Sequence, residues 1–216
     1  MYLSRLQLNP AHPQARRDLA SAYELHRSLA RAFAPDADTQ PARFLWRREA
    51  DRSGLPGTTV LVQAAQLGNW QALSASAMHG EGYCDRLQVD KPVALESLVQ
   101  TGHRCRFRLL ANPTVTRDGK RYGLHEDEAR QAWLRRQGDR LGFGLVAAER
   151  SASGRIRTSQ GGRERTITLD AVLFDGILQV TDATALRHAW SAGIGPGKAL
   201  GLGMLSLAPM PHSEVS

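Results

Sequence analysis

Two stretches of this chain carry the same order of local periodicities, and that recurrence limits the fold more than any other feature. In the first, residues 2–8 predict a strand with Leu6 and Leu8 on the face of Tyr2, interrupted by Leu3. Residues 14–33 carry a helical stripe of Leu19, Ala22, Leu29 and Phe33. Ser21-Ala22-Tyr23-Glu24 forms a capping-box pattern that starts a helix at Ser21 and leaves 14–20 as a turn or short helix. Residues 43–49 and 58–65 predict strands across the Gly/Pro turn at 53–57. A short helix over 69–78 and a strand over 82–89 complete the order strand, helix, strand, strand, helix, strand. That order is the split βαβ of a ferredoxin-like unit.

The second stretch starts at residues 103–109, where Cys105, Phe107 and Leu109 alternate with Arg104, Arg106 and Arg108. A helix is expected over 125–141, with Ala129, Trp133 and Leu134 on one face, followed by strands near 143–149 and 166–174. Phe174-Asp175-Gly176-Ile177 carries a two-residue hairpin signal. Thr181 or Asp182 can cap a helix over 183–191, Gly193 can end it, and 202–208 predict the last strand. The expected fold is therefore α+β, two tandem ferredoxin-like (RRM-like) domains. They are placed at residues 1–92 and 103–216, joined by a linker over 93–102.

Several function classes fall away. The longest apolar runs are a few residues, far short of the roughly 18–20 a membrane helix needs. Arg5 interrupts what would be the apolar core of a signal peptide, so secretion is not expected and the cytoplasm is. Cys84 and Cys105 make no disulfide framework and have no metal-ligand spacing around them, and neither a metal nor another cofactor is expected. The formal charge of +7 is unevenly placed. Residues 103–165 hold 15 basic and 7 acidic groups, whereas residues 1–102 hold 11 and 10. Concentrated positive charge is what a phosphate backbone selects, since each contact releases counterions.

The sharpest local motif is Gly193-Ile194-Gly195-Pro196-Gly197-Lys198-Ala199-Leu200-Gly201-Leu202-Gly203. Glycines let a backbone approach phosphate closely, and Lys198 adds charge. Gly195, Gly197, Lys198 and Gly201 are thus phosphate-contact candidates, with a purely structural turn as the alternative. The motif is not a Walker A loop, because residue 192 is alanine and Lys198 is followed by Ala199. It is not a dinucleotide fingerprint, because it precedes a strand.

This loop resembles the signature of the repeat-associated CRISPR proteins. The opening MYLSRLQLN, the runs Arg16-Arg17-Asp18-Leu19-Ala20 and Tyr23-Glu24-Leu25-His26-Arg27, Arg106-Phe107-Arg108 leading into Ala111-Asn112-Pro113-Thr114, and Leu169 to Gly176 resemble the CasE-type CRISPR RNA endoribonucleases of type I-E systems. The resemblance spans nearly the whole chain. It implies two tandem ferredoxin-like domains and metal-independent cleavage of CRISPR precursor RNA beside each repeat hairpin. It also implies a product that stays bound and a place among the other subunits of the type I-E surveillance complex.

The resemblance puts the catalytic pair at Tyr23 and His26. Residues three apart share a helical face, here in the first turn beside unpaired amides and the positive dipole end. Imidazole is the one nearby group whose unperturbed pKa, about 6.5, lies near neutrality, so His26 takes the general acid–base role, with Tyr23 orienting the 2′-hydroxyl or stabilising developing charge. On an ideal wheel His26 falls within the apolar stripe, so a core histidine is the competing assignment. His12, His79, His103, His125, His188 and His212 read as surface or structural. Arg27 is a candidate phosphate clamp. Arg155, Arg157, Arg163 and Arg165 lie on both arms of an expected basic hairpin that suits RNA. The Arg104/Arg106/Arg108 row suits RNA or plain solvent equally. A non-catalytic RNA-binding subunit of the same fold is the alternative function, and only Tyr23 and His26 separate the two.

Overall fold

A computed structural model describes residues 1–34, 36, 38–51, 56–74, 82–159 and 166–211. The chain divides into two compact units that are not contiguous in sequence. The first comprises Met1–Val93, Arg155–Leu169 and Gly197–Leu202, and the second Ala94–Gly154, Asp170–Pro196 and Gly203–Ser216. The basic hairpin arms and Lys198 thus cluster with the N-terminal unit, although they lie within the residues 103–216 assigned by sequence to the second domain.

The first unit opens with strand β1 (Tyr2–Leu8), then helices α1 (Pro13–Ala20) and α2 (Ala22–Ala30), which a single 3-10 turn (Arg31–Phe33) extends. Strands β2 (Phe44–Ala50) and β3 (Pro56–Ala64), short helix α3 (Gln71–Ser74) and β4 (Cys84–Pro92) follow. The sheet order is β2-β3-β1-β4, with β1 antiparallel to both neighbours. That is the ferredoxin-like arrangement expected from the order of elements. Leu6 faces Val60 in the β1–β3 register. Leu6, Leu8, Val60, Val62, Phe44 and Trp46 of the sheet bury against Leu25, Leu29 and Phe33 of the helical side. Asp90 takes a left-handed conformation (φ 53°) at an irregularity in β4. Its carboxylate accepts from Trp70 Nε1 at 2.8 Å, and its N–H donates to the buried Ser4 Oγ at 2.9 Å, so the polar group of an inward-facing Ser4 is satisfied.

The second unit repeats the plan with an insertion. After short helix α4 (Leu95–Leu98) come β5 (Arg104–Ala111), a two-stranded ribbon β6 (Thr114–Arg117) and β7 (Lys120–Gly123), helix α5 (Asp127–Leu141), β8 (Phe143–Ser159), β9 (Thr166–Val180), α6 (Ala183–Ala192) and β10 (Leu205–Pro209); the end of β8, the start of β9 and the 3-10 turn Lys198–Leu200 belong to the first unit. The main sheet order is β10-β5-β9-β8. The alternation of β5 is as expected: Cys105, Phe107 and Leu109 are buried, while Arg104, Arg106 and Arg108 are exposed. Asp182 caps α6 by accepting from the Thr184 and Ala185 amides at 2.9 and 3.0 Å.

Two sequence expectations need correction here. Phe174-Asp175-Gly176-Ile177 is no hairpin turn: it lies inside β9, with Gly176 opposite Phe107. Gly176 is there because backbone approaches it closely, since a Cβ would stand 2.1 Å from the Ala147 carbonyl oxygen. Asp175 forms a two-point ion pair across the strands with Arg108, at 2.7 and 3.1 Å. The last strand starts at Leu205 rather than 202, because Gly203 (φ 87°) still belongs to the glycine loop, its N–H donating to the Leu110 carbonyl at 2.7 Å.

Candidate active site

Helix α2 starts where the sequence requires. The Glu24 amide donates to Ser21 Oγ at 3.3 Å. The reciprocal half of the capping box does not form, because the Ser21 N–H donates to the Asp18 carbonyl instead, also at 3.3 Å. The Glu24 carboxylate is taken up by cations: Arg27 at 3.2 Å and Arg17 at 3.8 Å. Arg17 also reaches the buried Asp18 at 3.2 Å. Asp18 in turn accepts from the Tyr83 hydroxyl at 2.9 Å. Burial and the Asp18 charge push the Tyr83 phenol well above its usual range, so it acts here as a hydrogen-bond donor and not as a base.

Tyr23 and His26 are one turn apart on α2 and both are half-buried. The Arg27 guanidinium lies 5.9 Å from the Tyr23 ring centre, a cation–π distance. The His26 ring stacks on Phe44, with centroids 5.0 Å apart and planes at 22°. Its Nδ1 is buried and has no hydrogen-bond partner among the described residues. His12 Nδ1 and Trp46 Nε1 are likewise buried without a partner among the described residues, so what sets His26 apart is its place one turn from Tyr23 on α2. Burial also lowers the imidazole pKa below its usual value. At neutral pH His26 is therefore a neutral, desolvated imidazole, able to take a proton.

The glycine loop meets α2 within the same unit. The 3-10 turn Lys198–Leu200 packs against both α2 and β2. Desolvation, and next the charge of Arg43, lower the Lys198 pKa. A concentration of cationic groups thus flanks the helix that carries Tyr23 and His26. Gly197 (φ 87°) precedes the turn and packs on Leu202 and Leu169. Gly195 (φ 78°) belongs to the second unit, where it lies on the Trp133 ring.

Gly201 shows most directly why the loop is glycine-rich. Its φ is 81°, and a Cβ would stand 2.8 Å from the Trp46 ring. Gly201→Ala incurs about 1–2 kcal/mol for the left-handed conformation and adds overpacking of similar size. We expect a loss of about 2–4 kcal/mol, which for a chain of this size lowers Tm by roughly 4–15 °C. Gly102 (φ 90°) has nothing within 4 Å, so Gly102→Ala should cost only the backbone part. Thermal unfolding of both variants checks this, and equal shifts would show that packing on Trp46 contributes nothing.

The arm of the basic hairpin reaches the start of α2. Thr158 is buried, and its hydroxyl lies 3.2 Å from Ser21 Oγ. That contact ties the strand carrying the exposed Arg155 and Arg157 to the cap of the helix carrying Tyr23. Arg163 and Arg165 lie outside the described residues, as do His79 and His212. Sequence reading missed Phe44, Arg43 and Thr158, and read Glu24 only as the capping-box partner of Ser21. It also missed Arg48, which donates to the Leu19 carbonyl at 2.6 Å and secures the end of α1. The Glu24–Arg27 pair was legible from its i,i+3 spacing. The others approach from distant strands and leave no local signal. Burial pushes the Cys84 thiol up to about 12, so it is no nucleophile. Among the described residues, no three histidine, cysteine or carboxylate groups gather as a metal site, and no helix is long and apolar enough to cross a membrane.

Comparison with known proteins agrees with this architecture. The chain is 39% identical to the CRISPR-associated endoribonuclease Cse3 of Thermus thermophilus, over 97% of this chain and all of that one. It is 30% identical to the CRISPR system Cascade subunit CasE of Escherichia coli K12, again over 97% of this chain and all of the relative. Its fold superposes on a structure of CRISPR endoribonuclease Cse3 bound to a 19-nucleotide RNA with a TM-score of 0.83 and 37% identity, covering 97% of this chain and 100% of the other. The family model described as CRISPR associated protein matches residues 1–209, and with it the chain belongs to that family, among the CasE-type endoribonucleases of type I-E systems.

Proposed function

We propose that this protein is the endoribonuclease that cleaves CRISPR precursor RNA beside each repeat hairpin, and that it then holds its product as a subunit of the type I-E surveillance complex. The observation that carries the reading is the placement of Tyr23 and His26 one helical turn apart on α2, with Arg27 over the Tyr23 ring and the turn bearing Lys198 packed on the same helix. The Cse3 structure bound to a 19-nucleotide RNA and the Cascade subunit relative support the substrate and the assembly. The cytoplasm is the compartment this role requires.

The reaction needs proton transfer and charge stabilisation only. A ribose 2′-hydroxyl loses its proton and attacks the adjacent phosphorus. The bond to the 5′-oxygen breaks, and that oxygen gains a proton. The products are a 2′,3′-cyclic phosphate and a 5′-hydroxyl. His26 serves as the general acid–base group, and the Tyr23 hydroxyl orients the 2′-hydroxyl or stabilises the developing charge. Arg27 and Lys198 offer positive charge to the phosphate, and the amides of the first turn of α2 add to it. Gly195, Gly197 and Gly201 shape the loop that presents Lys198. Arg155, Arg157, Arg163 and Arg165 grip the hairpin RNA. Residues 1–92 form the domain with the catalytic helix. Residues 103–216 supply the second domain, the basic hairpin and the glycine loop.

Because the nucleophile is intramolecular and the acid–base group is a side chain, cleavage requires no divalent metal. Incubation with repeat-hairpin RNA in excess chelator should proceed at the rate seen with magnesium and yield cyclic-phosphate ends. Loss of cleavage in chelator, restored by magnesium with the RNA hairpin folded throughout, would sink the metal-free mechanism. Binding without any cleavage under either condition would make the protein a carrier of RNA and not an enzyme.

A further inference from the structure

The ribbon β6–β7 takes no part in the chemistry above, yet its composition is specialised. Arg117 pairs with Lys120 across the turn, and Val115 with Tyr122. Side chains two apart on a strand share a face, so Arg117, Lys120 and Tyr122 stand on one side of the ribbon. Every residue of β7 is exposed, and Tyr122 is 49% exposed. Like charges directly opposite each other destabilise a strand pair. No acidic side chain relieves this pair: Arg117, Lys120 and Arg121 have no ion pair or side-chain hydrogen bond among the described residues. The ribbon is nevertheless firmly built. Asp118 (φ 49°) and Gly119 (φ 72°) form the tight turn favoured in two-residue hairpins. At its base the Leu124 amide donates to the Pro113 carbonyl at 3.0 Å, and His125 Nδ1 lies 3.2 Å from the Asp170 carboxylate.

We propose that this ribbon is a contact site for single-stranded RNA flanking the repeat hairpin, with Arg117 and Lys120 on successive phosphates and Tyr122 stacked on a base. The proposal rests on the RNA-processing reading above and adds a second place on the protein that engages the substrate. An exposed aromatic beside unpaired cations is the combination that binds unpaired nucleic acid, because every base offers a flat face and every link a charge. A stem would bury its base faces in the helix and leave Tyr122 without a partner. An acidic protein surface would use the cations but leave the ring unexplained.

The test uses the full-length protein and two synthetic RNAs made uncleavable by 2′-deoxyribose at the hairpin base. One is the hairpin alone; the other adds unpaired flanks of about ten nucleotides, within the span of one such site. Wild type should bind the flanked RNA more tightly. The triple variant Arg117→Gln, Lys120→Gln, Tyr122→Leu should lose that gain, about tenfold, as expected for one stacked base with its phosphates. Its salt slope on the flanked RNA should flatten by about 1.4, two single-strand contacts at about 0.7 each. Its affinity for the bare hairpin should stay unchanged, and Tyr122→Phe should retain the stacking part of the gain. A triple variant that keeps the full gain overturns the proposal. So does an equal loss on both RNAs, or intact RNA binding with lost assembly into the surveillance complex, which would make the ribbon a protein-docking surface. Cleavage of an unmodified hairpin by wild type is run in parallel. If it is absent, the functional reading fails and this proposal with it; if it is present while the flank effect is missing, only the proposal fails.

Discussion

His26→Ala should abolish most cleavage while leaving affinity for the repeat hairpin nearly intact. General acid–base groups typically contribute about 10²–10⁴ in rate, and the loss should fall in or above that range. One neutral imidazole contributes little to a phosphate-dominated interface, so binding should hold. Tyr23→Phe should cost less, since it removes one hydroxyl and keeps the ring beneath Arg27. The double variant should lose less than the product of the two, because both groups act on one transition state. The competing role for His26 makes a different forecast. Its ring stacks on Phe44, and a residue kept only for that packing would, on truncation, lower Tm and weaken binding and cleavage together. Single-turnover cleavage, binding and melting measured side by side decide between them. A folded variant cutting at the wild-type rate would remove His26 from the mechanism.

The same side chain sets a pH dependence. Burial lowers its pKa in the folded protein relative to the unfolded chain. Folded protein therefore binds fewer protons than unfolded chain in the window between the lowered value and about 6.5. Stability from this group is fully present above about 6.5 and is lost as pH falls through the folded value. If neutral His26 takes the proton, cleavage has an acid limb with its midpoint below about 6.5. A single-turnover rate profile checks this. A midpoint above 6.5 would mean that a different group, or a charged His26, controls the step.

Much of this was legible from local pattern. The strands of the first unit, the cap at Ser21, the alternation of β5 and the Asp182 cap all follow from short-range rules about periodicity and capping. The hairpin signal at Asp175-Gly176 failed because the same dipeptide that favours a tight turn also tolerates a strand pressed against a neighbouring backbone, and the Ala147 carbonyl decides between them. Pattern cannot see that contact, which comes from a distant strand. The candidate site divides the same way. Tyr23, His26 and Arg27 follow from helix spacing together with the family resemblance. Phe44 stacked on His26, Arg43 beside Lys198 and Thr158 on Ser21 depend on the chain returning to α2 from three separate places. The row Arg104, Arg106 and Arg108 was ambiguous until Arg108 met Asp175, a residue 67 positions away. That pairing gives Arg108 a role within the sheet.

Changing Arg155, Arg157, Arg163 and Arg165 together to alanine should weaken binding of the repeat hairpin on the order of a hundredfold near physiological salt. Hydrogen bonds to charged groups contribute about 1.5–3 kcal/mol each, and solvent exposure of the arms takes back much of that sum. The salt response is more diagnostic than the affinity. Each duplex phosphate contact contributes about 0.9 to the slope of log K against log salt, so four lost contacts flatten it by up to about 3.6. Arg108→Gln is the matched control: it removes one positive charge that is already paired with Asp175, and it should leave the slope unchanged. The Ser21–Thr158 contact ties one arm to the start of α2, so the quadruple variant should also slow cleavage at saturating protein if the arms position the scissile phosphate as well as hold the stem. A wild-type slope in the quadruple variant would show that the arms are solvated strands and that the RNA is held elsewhere. A flattened slope with full-rate cleavage at saturation would leave them a grip on the stem and take from them any part in aligning the bond that breaks.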